Sequence, residues 1–267
     1  MASSLKGLVA FVTGGSSGLG RATCLHLLSK GATGCYSYDL QAFPTQQLDR
    51  SMSENIGKKM VSYRGDVRDS EKLAKALNEC KKKFGKIDAV INCAAVSVAF
   101  RLYNFKTNVP QKLDDFKATL DINVMGTYNV CRLAVSHLAS NEIDPETGLK
   151  GIIINTSGIA GQDGQIGQTT YAASAGAIDS LTYPLAREFS LQKIRCVSIC
   201  VGYFDTPVLS TFPDWAKEYL VNYSIAPKMI GSPDHYATLV EDIITNPFIN
   251  KTTINLDAGM RPQVHKT

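Results

Sequence analysis

No stretch of this chain approaches the roughly 20 consecutive apolar residues that a membrane-spanning helix requires. The apolar segment Gly7 to Val12 is too short for a secretory core and runs straight into Thr13-Gly14-Gly15. An Arg-rich transit segment is also missing, so the expected location is intracellular, in cytoplasm or mitochondrion. Cysteine pairing signals are lacking too. The seven cysteines, at 24, 35, 80, 93, 131, 196 and 200, include no Cys-x-x-Cys pair, and only four histidines could join them as ligands. No structural metal is expected. Several cysteines lie in apolar runs such as Ile194 to Val201, where buried, reduced thiols fit. Charge of one sign is not in large excess: 28 Lys+Arg stand against 24 Asp+Glu. That balance by itself implies no nucleic-acid footprint. The one basic cluster, Lys81-Lys82-Lys83, reads as a solvated helix face.

What remains is 267 residues, 44 % hydrophobic and 19 % charged, a size and balance suited to one large α/β domain. Such a composition excludes disordered and fibrous chains. Strand candidates are Leu8–Thr13, Gly34–Asp39, Lys59–Asp66, Ala89–Asn92, Gly151–Thr156 and Ile194–Val201. Helical spacing runs through Arg21–Ser29, Lys72–Lys83, Lys112–Ala139 and Tyr171–Leu191. Strand and helix in alternation predict a doubly wound parallel sheet covered on both faces, with residues 1–267 as a single domain. Two polar inserts, Arg101–Lys112 and Asn141–Lys150, read as surface insertions. A third excursion, about 203–228, mixes Tyr, Phe and Trp with turn residues and is expected to cover a ligand.

The first strand leads directly into Thr13-Gly14-Gly15-Ser16-Ser17-Gly18-Leu19-Gly20, and a helix follows. In that context Gly14 permits a tight turn, Gly18 lets backbone amides approach a pyrophosphate, and Gly20 allows close helix packing. The helix N-terminus then offers unsatisfied N–H groups to an anion. Asp39, 19 residues beyond Gly20, ends the second strand. A carboxylate there accepts hydrogen bonds from an adenosine ribose and repels a 2′-phosphate, which predicts NAD over NADP. Arg21 argues the other way with less weight.

With these motifs the sequence resembles the short-chain dehydrogenase/reductase family over essentially its whole length. The matching segments are Thr13–Gly20, Gly65-Asp66-Val67, Asn92-Cys93-Ala94, Leu120–Gly126 and Tyr171. The resemblance implies a Rossmann-type domain, bound NAD, and a homotetramer in which the helices of Lys112–Ala139 and Tyr171–Leu191 pair across subunits. It also implies that Ser16, Ser17 and Leu19 join Gly14, Gly18 and Gly20 at the dinucleotide. Asp66 and Val67 would hold the adenine, and Asn92 to Ala94 would line the cleft. Gln165, Tyr203 and Phe204 would face the substrate. The family's chemistry uses an Asn that fixes a water, a Ser that bonds the substrate oxygen, a Tyr that exchanges its proton, and a Lys four residues later. Asn123 and Tyr171 match. The Ser position is Gly158 and the Lys position is Ala175. Ala95 and Val201 also replace a glycine and a proline of the family pattern.

Without an ammonium beside it, Tyr171 is expected to titrate near 10, leaving roughly 0.1 % phenolate at pH 7. A matched general base is worth ~10²–10⁴-fold, and a donor aimed at a developing alkoxide contributes a similar factor. Dinucleotide binding should therefore survive better than hydride transfer. The expectation is an NAD(H)-binding protein with lost or strongly reduced oxidoreductase activity. It would serve as a binding protein for a small apolar or acyl ligand, or as a scaffold for a partner. Two alternatives stand beside it. One is an active oxidoreductase with a rearranged proton relay through Tyr171, for which a bulge at Gly158 would re-aim Ser157. The other is a non-redox enzyme, an isomerase or cyclase, acting on a small apolar substrate through neutral Tyr171 and Asn123.

Overall fold

Five buried residues, Val9–Thr13, make the first strand, β1, and the glycine run after it turns the chain into helix α1 (Gly18–Ser29). The structure, a computed structural model, describes residues 5–47, 57–210, 212 and 214–261. Strands β2 (Gly34–Asp39), β3 (Met60–Arg64) and β4 (Ala89–Asn92) follow, with helix α2 (Ser70–Phe84) between the last two. Asp69 caps α2 by accepting from the Lys72 N–H at 3.0 Å. Lys81, Lys82 and Lys83 occupy its last turn, where cations oppose the helix dipole.

The insert expected as plain surface chain contains a two-stranded antiparallel hairpin, β5 (Tyr103–Asn104) and β6 (Val109–Pro110). The expected helix over Lys112–Ala139 is interrupted. It divides into α3 (Leu113–Leu120), a π-helical turn over Asp121–Gly126, and α4 (Thr127–Ala139). Apolar periodicity does not register one residue added to a turn, which is why the interruption escaped the pattern.

Strand β7 (Gly151–Gly158) leads to a short helix α5 (Ala160–Asp163) and then to α6 (Thr169–Ser190). Strand β8 (Ile194–Val201) opens the last part of the fold. The aromatic excursion carries two short helices, α7 (Pro207–Ser210) and α8 (Asp214–Asn222). Helix α9 (Pro233–Thr245) and strand β9 (Thr253–Leu256) complete the layers and were not expected from the strand and helix signals. At the start of α9, Ser232 accepts from Asp234 N–H, while His235 accepts from Ser232 N–H, a reciprocal cap.

The sheet order is β3-β2-β1-β4-β7-β8-β9, and every neighbouring pair is parallel. Strand order reverses between β1 and β4, whose ends meet at Thr13 and Asn92. Ligand crevices form outside such a switch point. One apolar layer joins α1 and α9 to the sheet through Val12, Leu27, Ile91, Ile154, Tyr236 and Val240. The opposite layer seats α2, α4 and α6 through Phe11, Leu73, Leu77, Val130 and Leu185. On that face Phe11, Tyr36, Tyr38 and Tyr63 stack across three adjacent strands, at centroid separations of 5.4 to 6.2 Å. All seven cysteines are free thiols, and six are buried.

Arg195 of β8 is 4 % exposed, and no carboxylate among the described residues pairs with it. Its guanidinium donates to the carbonyls of Ile243, Ile244, Asn246 and Ile249 at 2.7 to 3.2 Å. These acceptors are the last carbonyls of α9 and the turn beyond it, so a strand residue caps a neighbouring helix. Burial pushes the guanidinium down to about 10, which leaves it charged at neutral pH.

Candidate functional site

A cleft of about 330 Å³ opens at the ends of β1 and β4 and runs on past β7 and β8. This volume suits a small-ligand site. Gly14, at φ +64°, makes the first turn, and a β-carbon there would stand 2.8 Å from the Ala94 nitrogen. A β-carbon on Gly20 would meet the Gly14 carbonyl oxygen at 2.3 Å, so only glycine lets α1 pack on the loop. Ser17, Gly18 and Leu19 line the cleft. Ser17 is the N-cap of α1 and makes no side-chain cap bond, so the first-turn N–H groups have no side-chain acceptor there.

Two residues of the same run do other work. The Ser16 hydroxyl donates to Gln41 C=O at 3.0 Å and pairs with the Ser37 hydroxyl at 3.1 Å, away from the cleft. Gly20 likewise contributes packing and no surface. Asp39 lines the cleft, and its carboxylate accepts from the Ser16 and Gln41 N–H groups, each at 3.0 Å. These bonds fix the carboxylate in place before any ligand arrives.

Asp66 and Val67 also line the cleft. The Asp66 carboxylate is held by Arg68, whose Nη2 donates at 2.6 Å and Nε at 3.0 Å. That guanidinium keeps the Asp66 pKa below the usual carboxylate range. Tyr38, floor of the same region, donates its hydroxyl to Asp66 C=O at 2.9 Å. Asn92 does not reach the cleft. It is 3 % exposed and donates to Asn155 Oδ1 at 2.9 Å in a network continuing to Thr13 and Cys131. Ala94 does line it, and its N–H donates to the Thr13 hydroxyl at 3.3 Å.

At the far end, the Tyr171 ring lines the cleft, and no group among the described residues bonds its hydroxyl. Burial pushes that phenol up to about 12, helped by nearby Cys200 and Tyr203. The expected value near 10 considered only the missing cation. Desolvation disfavours phenolate as well, and the two effects have the same sign. A β-carbon on Gly158 would stand 2.8 Å from the Tyr171 oxygen, so the phenol leans into the space that a side chain at 158 would fill. Ala175 is 3 % exposed and packs near Gly161 of α5, where a β-carbon would lie 3.0 Å from the Ala175 methyl.

Asn123, in the π-helical turn, has both of its amide protons engaged. Its Oδ1 accepts from Val96 N–H at 2.8 Å, and its Nδ2 donates to Val96 C=O at 2.9 Å and to the Ser174 hydroxyl at 3.0 Å. Its amide clamps the loop after β4 and has no proton left for a water. Ser157 is not re-aimed either. Strand β7 keeps regular register with β8 through Gly158, without a bulge, and Ser157 donates to Asp179 at 2.5 Å on the opposite face. Thr156 faces the cleft and pairs with the Tyr236 hydroxyl at 2.7 Å.

The cover segment supplies Tyr203, Phe204, Thr206, Val208, Leu209 and Phe212 to the wall. Gln165 stands behind this wall and accepts a hydrogen bond from the Tyr203 hydroxyl. Arg68, Ser97, Gln168 and Thr206 join the lining beyond the expected set. Arg68 had no local signal, whereas Gln168 lies three residues before Tyr171 and could have been placed from that spacing. Among the described residues, no group of three or more His, Cys, Asp or Glu is placed to hold a metal ion, and no helix is long and apolar enough to cross a membrane.

Comparison with known proteins gives a consistent family. Residues 8–217 match the model for short chain dehydrogenase. The chain is 40 % identical to 3-hydroxyacyl-CoA dehydrogenase type-2 of Mus musculus over 97 % of both chains. It is 34 % identical to ipsdienol dehydrogenase of Ips pini, across 95 % of this chain and 97 % of that one. Among solved structures, 3-hydroxyacyl-CoA dehydrogenase type-2 from Mycobacterium avium superposes with a TM-score of 0.85 at 30 % identity, covering 96 % of this chain and 97 % of that chain.

Proposed function

This chain belongs to the short-chain dehydrogenase family, and on that premise we propose that it binds NAD(H) while its alcohol–ketone oxidoreduction is lost or strongly reduced. It then acts by holding a ligand or a partner. The observation that carries this reading is the surroundings of Tyr171. Its hydroxyl is pushed up to about 12, with glycine at 158 and alanine at 175 where the family places its serine and lysine.

The cleft's other half fits a dinucleotide. Ser17, Gly18 and Leu19 would offer uncapped α1 N–H groups to a pyrophosphate, and Asp39 would offer a prearranged carboxylate to a ribose. Asp39 repels a 2′-phosphate, which favours NAD over NADP. When bound, the nicotinamide supplies a hydride acceptor or donor. What the protein must add is a base or acid at the substrate oxygen. Tyr171 at neutral pH is a phenol, about 1 part in 10⁵ ionised, and donates a hydrogen bond without taking up a proton. Among the described residues, the charged side chains on the cleft wall are Asp39, Asp66 and Arg68, so a rearranged relay has no ionised partner there beside Tyr171. A free neutral donor also supports non-redox proton chemistry as the second reading. Activity that needs no added nicotinamide would move it to the front.

Titrating NADH into the protein, followed by turnover assays on hydroxyacyl-CoA and hydroxysteroid substrates, tests the proposal. Binding with turnover below the ordinary range of about 1–10³ s⁻¹ is expected. Binding with ordinary turnover overturns it. The homotetramer belongs to the same proposal, and a monomer mass in sedimentation would remove it.

A further inference from the structure

Beyond Asp39 the cleft continues to the end of β3, where Tyr38, Leu40, Asp66, Val67 and Arg68 line it. A dinucleotide with its pyrophosphate at α1 and a ribose on Asp39 has one group left on that side, the base. The order β1-β2-β3 carries the ligand outward in that sequence. The loop between β3 and α2 is therefore the wall that would meet the base. Such a loop binds well only when it is already ordered, because ordering it on binding costs affinity.

Asn129, in the first turn of α4, orders this loop from behind. It is 6 % exposed and stands outside the cleft lining. Its Nδ2 donates to Val67 C=O at 2.7 Å, and its Oδ1 accepts from the Ser70 hydroxyl at 3.0 Å. One amide thus holds the loop and the first residue of α2 together. The Val67 side chain is held as well. A β-carbon on Gly126, the last residue of the π-helical turn, would collide with Val67 Cγ2, so the turn packs directly against it. Asp66 is fixed by other means, its C=O by the Tyr38 hydroxyl and its carboxylate by Arg68. Asn123, six residues before Asn129, holds the loop after β4 through Val96. The π-helical turn and α4 therefore carry an amide clamp for each of these two loops of the cleft wall.

We propose that Asn129 is a positioning residue for the nucleobase: by fixing the Val67 backbone it sets the affinity for the adenosine half of the ligand without touching it. This rests on the dinucleotide reading above and adds to it a residue that lies outside the glycine loop and outside the cleft. Both bonds need the amide. Alanine leaves the buried Val67 carbonyl without this donor, and the loop is free to move away from the base.

Calorimetric titration of ADP and of NADH into the wild type, Asn129→Ala, Ser70→Ala and Arg195→Met tests this. ADP carries the adenosine and the pyrophosphate but no nicotinamide. Asn129→Ala should weaken both ligands by the same factor, about ten-fold, the equivalent of one hydrogen bond. Ser70→Ala removes only the second bond of the clamp and should weaken both by about three-fold. Arg195→Met loses stability away from the cleft and should leave both affinities unchanged, which separates positioning from general destabilisation. Thermal denaturation establishes that each variant is folded, and Ser70→Ala carries the test if Asn129→Ala is not. Unchanged ADP affinity in the folded clamp variant, or an equal loss in Arg195→Met, overturns the proposal. So does a wild type that binds NADH and not ADP. A wild type that binds neither removes the dinucleotide reading itself, and the proposal with it.

Discussion

The Tyr171 oxygen stands 2.8 Å from where a β-carbon on Gly158 would lie, so a side chain at 158 and the phenol cannot both be accommodated in their present positions. Serine at 158 requires the phenol to withdraw by a few tenths of an ångström. Gly158→Ser alone should therefore shift Tyr171 and restore little turnover, because the phenol still lacks a cation. Gly158→Ser with Ala175→Lys should raise NAD-dependent oxidation of a hydroxyacyl-CoA by about 10²-fold or more. Steady-state assays decide this. A double variant as slow as the parent, yet still binding NADH, would mean the substrate end has been remodelled as well.

The Tyr171 phenol gives a signed pH dependence. Its pKa is raised to about 12, so the proton is held through neutral pH and the ionised form grows as pH rises. Any residual oxidation that uses this phenolate should climb about tenfold per pH unit between 7 and 10, with no plateau. A pH–rate profile that levels off below pH 9 identifies a different base. Loss of the residual rate in Tyr171→Phe completes the assignment.

Asp39 holds the Ser16 and Gln41 N–H groups, both at 3.0 Å, while facing the cleft. Asp39→Ala should weaken NADH binding by about ten- to a hundred-fold, since hydrogen bonds to a charged group contribute about 1.5–3 kcal/mol. NADPH should lose far less, because the repulsion of its phosphate goes with the carboxylate. Parallel titrations with both nucleotides measure the ratio, and an unchanged ratio rejects Asp39 as the discriminator.

Asn123 makes three hydrogen bonds within the protein, to the backbone of Val96 and the hydroxyl of Ser174. Asn123→Ala should cost about 2 kcal/mol, a fall in Tm of about 5 °C for a domain of this size. The measurement is made without nucleotide. A side chain serving only to hold a water would leave Tm where it was.

Arg195 bonds four carbonyls at the end of α9. Arg195→Met strands those acceptors and should cost at least about 3 kcal/mol. Urea unfolding midpoints would register this directly. NADH affinity of the folded fraction should barely change, because the capped carbonyls lie far from the cleft wall. An unmoved midpoint would show that water replaces the guanidinium without penalty.

The parallel sheet was legible because β1, β2, β4 and β8 are apolar runs bounded by glycine or polar residues, and their predicted limits fall within one residue of the observed ones. Strand β9 was not, since Thr253–Leu256 alternates too briefly to stand out and is fixed by pairing with β8. In the site, Gly14, Gly18 and Asp39 could be placed because a turn or a strand end dictates each, whereas Tyr171 was placed by the family resemblance. The roles of Ser16, Asn92 and Asn123 could not. Each carries polar atoms that face inward, and only the folded contacts reveal that neighbouring backbone or side chains already satisfy them. The Tyr203–Gln165 bond joins residues 38 apart, a distance no local pattern spans.

The chain has a single tryptophan, and Trp215 stands 72 % exposed on α8 of the cover segment. Its emission is consequently an optical probe of the cover alone, while the stacked tyrosines beside Phe11 report on the sheet. Excited selectively, the indole reports on the surroundings of the cover apart from those of the sheet. A single indole thus marks one segment of the cleft wall, and a change confined to that segment can be read without any introduced label.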